Sequence, residues 1–200
     1  MIMKILAFTD FHGSPSALKK IIQKAKSQKP DVLVCPGDFT IFEQHMHRIL
    51  KKMDSIGIPL LLIPGNHESS YTLRNAVKRY KNLVYLHKTF CRMGKYLFIG
   101  YGEGGFSLTD KSFKTWGDKM MKKVRKDDYV TLLVHGPPHG TKLDEIMGEY
   151  CGNKDYTKFI SKYKIPLVFC GHIHENFEKE DKIGKSRVIN PGPFGQILLV

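Results

Sequence analysis

The sequence predicts an α/β fold built on a mixed β-sheet, and three observations support this prediction. Short apolar runs alternate with helical patterns in the first third of the chain, the order expected of βαβ units with parallel strands. The second half contains consecutive strand-like runs joined by a short turn, which makes the sheet mixed. Polar residues follow the apolar runs, at the edge where open α/β sheets bind ligands.

The first third repeats one unit three times. Strands are predicted at residues 3–9, 31–35 and 59–63, and helices are predicted to begin near residue 14 and to cover about 42–55 and 69–80. Ser14 and Pro15 suit the N-cap and the first position of the first helix. Each strand is followed by a polar residue, and these residues become the candidates for a site.

The second half is predicted to add strands and one helix around a Gly-rich loop. Strands are expected at residues 83–91, 96–101, 130–134, 166–170, 186–189 and 196–200, with a helix at 113–123. The loop contains Gly102, Gly104 and Gly105 but lacks the P-loop spacing and its Lys-Ser/Thr pair, so we interpret it as a lid or a plain connection.

Length and composition limit the classes of protein to which this chain can belong. A length of 200 residues and a hydrophobic content of 42% fit one globular domain, which we predict over residues 1–200. No apolar run approaches the roughly 20 residues that span a bilayer, and the start carries Lys4 and Asp10, unlike a signal peptide. We therefore expect a cytoplasmic protein without membrane contact, in which Cys35 and Cys170 are buried thiols.

The net charge of +13 is unusual and indicates acidic partners such as phosphates or nucleic acid. Lysine supplies most of it and is scattered, and no block of five like charges marks a nucleic-acid tail. Two interpretations stay open: a solvated basic surface, which we favour, and a track for a polyanion.

Candidate metal ligands follow five separate strands. They are Asp10, Asp38, Asn66, His135 and His172, joined by His12 and His174 from the same turns. Carboxylate, amide and imidazole groups suit divalent cations of hard to borderline character. Seven ligands are more than a single tetrahedral site uses. With Asp38 shared, they serve two cations about 3.5–4 Å apart, as in two-metal phosphoryl-transfer sites.

The ordered motifs D-x-H, G-D, G-N-H-E, H and G-H-x-H resemble those of the calcineurin-like metallophosphoesterase family, especially its small uncapped members. With the N-P-G that follows them, the resemblance covers Asp10 to Asn190, nearly the whole chain. The resemblance implies a four-layer αββα sandwich, with two mixed sheets face to face and helices outside. It also implies that one metal is held by Asp10, His12, Asp38 and His174, and the second by Asp38, Asn66, His135 and His172.

By the same resemblance, His67 faces the substrate as the catalytic residue without binding metal, either protonating the leaving alkoxide or stabilising its charge. Two divalent cations with two carboxylates leave a positive site that attracts phosphate and activates a bridging hydroxide. The expected activity is hydrolysis of small phosphodiesters, with monoesters as an alternative. Manganese is the expected metal, and iron, nickel and zinc are alternatives.

Two other functions compete with this one. A nuclease could use the same metals if Lys and Arg lined a groove leading to them. A non-catalytic scaffold is disfavoured because no expected ligand is missing. Among the remaining polar residues, we interpret His45, His47 and His87 as ordinary side chains, His139 as a candidate substrate contact, and Glu68 and Glu175 as supports for neighbouring ligands.

Overall fold

The computed structural model describes residues 2–200, which form thirteen strands, five α-helices and one short 3-10 helix. The strands are β1 Lys4–Ala7, β2 Val32–Cys35, β3 Leu60–Leu62, β4 Leu83–Tyr85, β5 Thr89–Met93, β6 Tyr96–Tyr101, β7 Tyr129–Val134, β8 Glu145–Ile146, β9 Glu149–Tyr150, β10 Leu167–Phe169, β11 Glu180–Ile183, β12 Ser186–Ile189 and β13 Gln196–Leu199. The helices are α1 Pro15–Gln28, α2 Met46–Asp54, α3 Ser70–Val77, α4 Lys111–Met121 and α5 Lys154–Tyr163, and the 3-10 helix is His174–Asn176.

Helix starts follow local capping chemistry. Ser14 caps α1 by accepting a hydrogen bond from the Ala17 amide, with Pro15 at the first helical position, as the sequence predicted. Ser69 caps α3 and Asp110 caps α4 in the same way. These caps satisfy amides that the first helical turn leaves without partners.

Two mixed sheets carry the strands. The first has the order β13-β1-β2-β3-β4, with β1 to β4 parallel and β13 antiparallel to β1. The second has the order β11-β12-β10-β7-β6-β5, with a parallel centre and antiparallel edges. Strands β8 and β9 form a separate small hairpin. The three βαβ units of the first third are therefore confirmed.

Alternating side chains on the strands divide the apolar core into three layers. The layer between the sheets includes Ile5, Val34 and Phe169. Leu6 and Leu33 point the other way and pack against α1, α2 and α3. On the far side, the second sheet packs against α4 and α5. This is the αββα sandwich expected from the sequence, and Cys35 and Cys170 are buried in it.

Two predicted elements were wrong in detail. The helix expected over residues 42–55 begins only at Met46, because Phe42, Glu43 and His45 have positive φ angles of 44°, 64° and 55°. The strand expected over 83–91 is two strands in different sheets, β4 in the first and β5 in the second. The chain crosses from the first sheet to the second around His87 and Lys88. The apolar content of the sequence did not show that one strand ends and another begins there.

Among residues 2–200, none of the helices combines the length and apolar character needed to cross a membrane.

Candidate dinuclear metal centre

The candidate ligands meet where strands of both sheets end. Asp10, Asp38 and Asn66 follow strands β1, β2 and β3 of the first sheet. His135 directly follows β7, and His172 follows β10, in the second sheet. Parallel strands end at a common edge, so five segments distant in sequence deliver polar groups to one crevice. The site therefore spans the seam between the two sheets.

One group of ligand atoms consists of Asp10, His12 and His174, which each place an atom within 4.8 Å of the others. The two Nε2 atoms of His12 and His174 lie 3.1 Å apart, and His174 Nε2 lies 3.9 Å from Asp10 Oδ1. His12 Nδ1 faces the Thr40 carbonyl at 3.1 Å, so Nδ1 carries the proton and Nε2 presents a lone pair.

A second group consists of Asp38, His135 and His172. His135 is completely buried, and its Nδ1 faces the Pro36 carbonyl at 3.0 Å, which again directs Nε2 into the cluster. That Nε2 lies 2.9 Å from Asn66 Oδ1 and 3.4 Å from Asp38 Oδ2. Burial lowers the pKa of His135, but the bond to Asp38 and the charges of Asp10 and Asp38 outweigh it and raise the pKa to about 9.

His172 supplies the test of whether a cation fits. Its Nε2 is buried and has no hydrogen-bond partner within the described residues. Burial and the neighbouring His135 lower its pKa to about 4, so the ring is neutral at pH 7. Buried polar atoms rarely lack partners without a reason, and an imidazole nitrogen grouped with the Asp38 carboxylate and the His135 imidazole is a metal-ligand arrangement. The residues present therefore fit a divalent cation.

Asp38 lies between the two groups. Its Oδ2 is 3.4 Å from His135 Nε2, 3.9 Å from His67 Nε2 and 4.0 Å from His12 Nε2. Its Oδ1 accepts a hydrogen bond from the His67 amide at 2.9 Å, which leaves Oδ2 facing the cluster. Burial raises its pKa, but contacts with His135 and His67 outweigh burial and lower it to about 2. Asp38 is therefore a charged carboxylate that reaches both groups.

The backbone at the site is strained. Asp10, His12, Asp38 and His172 have positive φ angles of 50°, 44°, 48° and 71°, a conformation that non-glycine residues seldom adopt. Such strain costs about 1–3 kcal/mol per residue and persists where surrounding contacts hold it, commonly at functional sites. Here it turns side chains from strand ends towards one point.

Two glycines allow the carboxylates to approach so closely. A Cβ atom on Gly65 would lie 2.0 Å from Asp38 Oδ1, and one on Gly171 would lie 2.1 Å from Asp10 Oδ2. Neither glycine has a positive φ, so space rather than backbone conformation requires them. The His172 amide, one residue after Gly171, donates to both oxygens of Asp10 at 3.1 Å.

Glu68 is a buried hub that holds the loops carrying the ligands. Its two oxygens accept from the amides of Asp38, Thr40 and Gly65 and from the Thr40 hydroxyl, at 2.7–3.0 Å. Sequence reasoning expected a supporting role for Glu68 but missed Thr40, whose carbonyl orients His12, and Thr9, whose hydroxyl donates to Asp10 at 2.6 Å. No local sequence signal marks either threonine.

His67 lies at the rim of the cluster. Its Nδ1 accepts a hydrogen bond from the Phe42 amide at 3.3 Å, and its ring packs on Phe42 with centroids 4.3 Å apart. The proton therefore sits on Nε2, the atom 3.9 Å from Asp38 Oδ2. His67 also groups with His12 and Asp38 as a set that could hold an ion, but a protonated Nε2 is a donor rather than a ligand.

The remaining predicted histidines lie outside the ligand groups found among residues 2–200. His139 Nδ1 is 3.6 Å from Asp144 Oδ2, and its ring contacts Tyr150. His47 packs against Tyr80, and His87 Nδ1 accepts from the Gly102 amide. His45 lines a cavity beside His12.

Comparison with known proteins decides the family. The family model described as "Calcineurin-like phosphoesterase" matches residues 3–176. The chain belongs to this family. Family membership implies a dinuclear site for divalent metals, and the histidine and aspartate cluster fits it.

Relatives of known sequence or structure are distant. Purple acid phosphatase 19 of Arabidopsis thaliana is 22% identical over 186 residues, which cover 86% of this chain and 43% of the relative, so the chain spans under half of that protein. The structure of TT1561 from Thermus thermophilus has a TM-score of 0.77 at 19% identity, over 96% of this chain and 90% of that one. A dimetal phosphatase from Danio rerio has a TM-score of 0.68 at 11% identity, over 94% and 86%. These likenesses show the shared fold.

Proposed function

We propose that this chain is a metal-dependent phosphodiesterase, in which two divalent cations share Asp38. The observation that carries the proposal is the position of Asp38 Oδ2 within 4.0 Å of imidazole nitrogens from both ligand groups. One cation would be held by Asp10, His12, Asp38 and His174, and the other by Asp38, Asn66, His135 and His172. When bound, such cations activate water for attack on phosphorus and bind the phosphate oxygens.

The chain's own groups prepare the site for that chemistry. Backbone carbonyls fix the tautomers of His12 and His135 so that Nε2 faces inward. Glu68 fixes the loop of Asp38 through three hydrogen bonds and the Gly65 amide through a fourth, and so limits reorganisation during reaction. Asn66 contributes a neutral oxygen, which keeps the total charge of the site positive and attractive to phosphate.

His67 is the proposed catalytic residue. Its protonated Nε2 points towards the cluster, while Phe42 holds the opposite edge of the ring. As the P–O bond breaks, Nε2 can give its proton to the leaving alkoxide oxygen, and the imidazolate that this leaves is stabilised by the Phe42 amide, which donates to Nδ1. We favour this role over charge stabilisation alone because the tautomer is set by a backbone amide.

A diester is favoured over a monoester because exposed aromatic rings lie at two places beside the cluster and can each contact one ester group. Two exposed phenylalanines flank the cluster, Phe42 against His67 and Phe106 against His172, with side chains 70% and 67% exposed. Exposed rings beside a charged site offer apolar contact to the alcohol groups of an ester. We propose small esters as substrates and manganese as the metal.

Hydrolysis of bis(p-nitrophenyl) phosphate by Mn²⁺-loaded protein tests the proposal. We expect turnover that Asp38→Asn reduces by roughly a thousandfold or more, the scale on which loss of central charge stabilisation acts. The metal content of Asp38→Asn should also fall below two ions per chain. Asp127→Asn, an exposed aspartate away from the cluster, is the matched control. Absence of turnover with manganese, iron, nickel and zinc alike would refute the proposal.

Cleavage of polynucleotides is the second candidate, favoured by the net charge of +13. It requires that binding of single-stranded DNA weakens steeply with salt, because each neutralised phosphate releases counterions. Binding that is absent or insensitive to salt between 50 and 200 mM, about the range over which such contacts act, would remove this candidate.

A further inference from the structure

A cavity of about 230 Å³ opens beside the metal cluster, between the start of α1 and the outer side of α2. Its lining includes His12, Leu18, Ile41, Arg48, Ile49 and Lys52. His12 is shared with the cluster, so a molecule bound at the metals can extend directly into this cavity. Leu18 and Ile49 are buried and form an apolar floor.

The rim of the cavity is cationic. Arg48 and Lys52 lie one turn apart on α2, and residues four apart share a helix face. No carboxylate contributes to the lining. Within residues 2–200, neither side chain forms an ion pair, whereas Lys162 pairs with Asp118 and Arg187 with Glu180. Two uncompensated positive charges therefore face the cavity.

The wall next to the rim is preformed. The loop of residues 41–45 has positive φ angles at Phe42, Glu43 and His45. The Phe42 amide bonds to His67, and Glu43 Oε1 accepts from the Ser69 amide at 2.8 Å. These contacts tie the wall to the cluster, so the cavity needs little ordering when a ligand enters.

We propose that this cavity binds a second phosphate group of the substrate, so that the chain prefers phosphodiesters carrying a terminal phosphate near the scissile one. The inference rests on the proposed function. An arginine beside a lysine offers bidentate and point-charge recognition of phosphate. The cavity is smaller than the roughly 300–1,000 Å³ that holds a whole ligand. It therefore suits part of a substrate, with the sugar on the apolar floor and the phosphate at the rim.

The dinucleotides d(TpT), d(pTpT) and d(TpTp) test the proposal with the Mn²⁺-loaded full chain. We expect kcat/KM for at least one phosphorylated dinucleotide to exceed that for d(TpT) by roughly tenfold or more, since charge-assisted hydrogen bonds reach that size. The double variant Arg48→Gln, Lys52→Gln should bring this ratio close to one. Lys51→Gln, on the same helix but outside the lining, should keep it.

Binding gives a readout independent of turnover. Calorimetry with thymidine 3′,5′-bisphosphate and the full chain in EDTA should show a dissociation constant about tenfold higher for the double variant, with no change for Lys51→Gln. Both side chains are exposed and unpaired, and thermal unfolding of each variant verifies its fold. Cleavage of d(TpT) without preference for either phosphorylated form, or a preference that survives the double variant, overturns the inference. Failure to cleave any diester would instead overturn the proposed function.

Discussion

At the scale of residues, the direction of each imidazole depends on what its second nitrogen contacts. His12 and His135 direct Nδ1–H to the carbonyls of Thr40 and Pro36, and both turn Nε2 inward. His67 is opposite, because Nδ1 accepts from the Phe42 amide. A histidine whose Nδ1 donates to a backbone carbonyl can therefore bind metal through Nε2. A histidine whose Nδ1 accepts from a backbone amide instead keeps a proton on Nε2 and is a hydrogen-bond donor. We propose that this difference separates the metal-binding histidines from the catalytic histidine within one cluster.

The proposed role of His67 predicts that the loss of activity on replacing it depends on the leaving group of the substrate. His67→Asn keeps a polar side chain but cannot donate a proton, and we expect a loss of about 10²–10⁴-fold for a diester with an alkyl leaving group such as d(TpT). The loss should be much smaller for bis(p-nitrophenyl) phosphate, whose leaving phenolate needs no proton. Steady-state kinetics on both substrates check this. Equal losses would contradict proton donation and indicate charge stabilisation alone.

His87 predicts a specific dependence of stability on pH. Burial lowers its pKa to about 4, against the partly compensating charge of Glu103, whose carboxylate lies 3.8 Å away. Between pH 6.5 and about 4, the unfolded chain therefore binds a proton that the folded chain does not. The contribution of His87 to stability is therefore fully present above pH 6.5 and is lost as pH decreases towards 4, by on the order of 3 kcal/mol in total, since one pKa unit is about 1.4 kcal/mol.

Chemical denaturation of wild type and His87→Asn in EDTA, from about pH 7.5 to 4, measures this effect. Asparagine can still accept the hydrogen bond from the Gly102 amide. The free energy of unfolding of the wild type should fall more steeply than that of the variant as the medium becomes acidic. Parallel profiles would show that His87 does not titrate in this way.

At the scale of elements, the strands of the first third and the helices α1 and α3 were predictable because their apolar periodicities are undisturbed. The break between β4 and β5 was not, because the run from Leu83 to Cys91 contains no Gly or Pro. The composition of residues 41–45 predicts a helix. In the structure, hydrogen bonds to Glu68 and His67 hold this segment as a loop in which several residues have positive φ angles. Tertiary contacts override local propensity in both cases.

The candidate site was more predictable than the elements around it. Asp10, Asp38 and His135 could be found because polar residues after buried strands are conspicuous in sequence. The hub function of Glu68 and the orienting carbonyl of Thr40 could not, since each depends on segments about 30 residues apart meeting in space. Every residue has a backbone carbonyl, so the pattern of side chains in the sequence does not show which carbonyl orients a histidine.

The turn at Gly171 predicts that one methyl group can disable the first ligand group. In Gly171→Ala, the new Cβ would lie 2.1 Å from Asp10 Oδ2, so the carboxylate must move. We expect Mn²⁺ content and turnover to fall at least tenfold, the scale for a ligand displaced by about an ångström. Gly94→Ala is the control: it has positive φ, open surroundings and a position in the β5–β6 turn. It should lower stability by about 1 kcal/mol without loss of metal.

At the scale of the whole molecule, the candidate ligands come from both halves of the sandwich. Asp10, Asp38 and Asn66 belong to the first sheet, and His135 and His172 belong to the second. Bound cations would therefore act as cross-links between sheets that otherwise meet through apolar packing. Without them, the buried nitrogen of His172 lacks a partner, and like charges of Asp10 and Asp38 lie close together. Metal binding should thus stabilise the entire fold rather than one loop.

Thermal unfolding with and without Mn²⁺ tests this coupling. A cation that binds only the folded state at 100 times its Kd adds about 2.7 kcal/mol, which for a chain of this length raises Tm by roughly 5–10 °C. Asp38→Asn should lose most of that rise, because it removes the carboxylate that reaches both ligand groups, while the exposed Asp127→Asn should keep it. A rise of equal size in both variants would mean that the stabilising cations bind elsewhere on the molecule. The absence of any rise in the wild type would mean that the two sheets are not linked through metal.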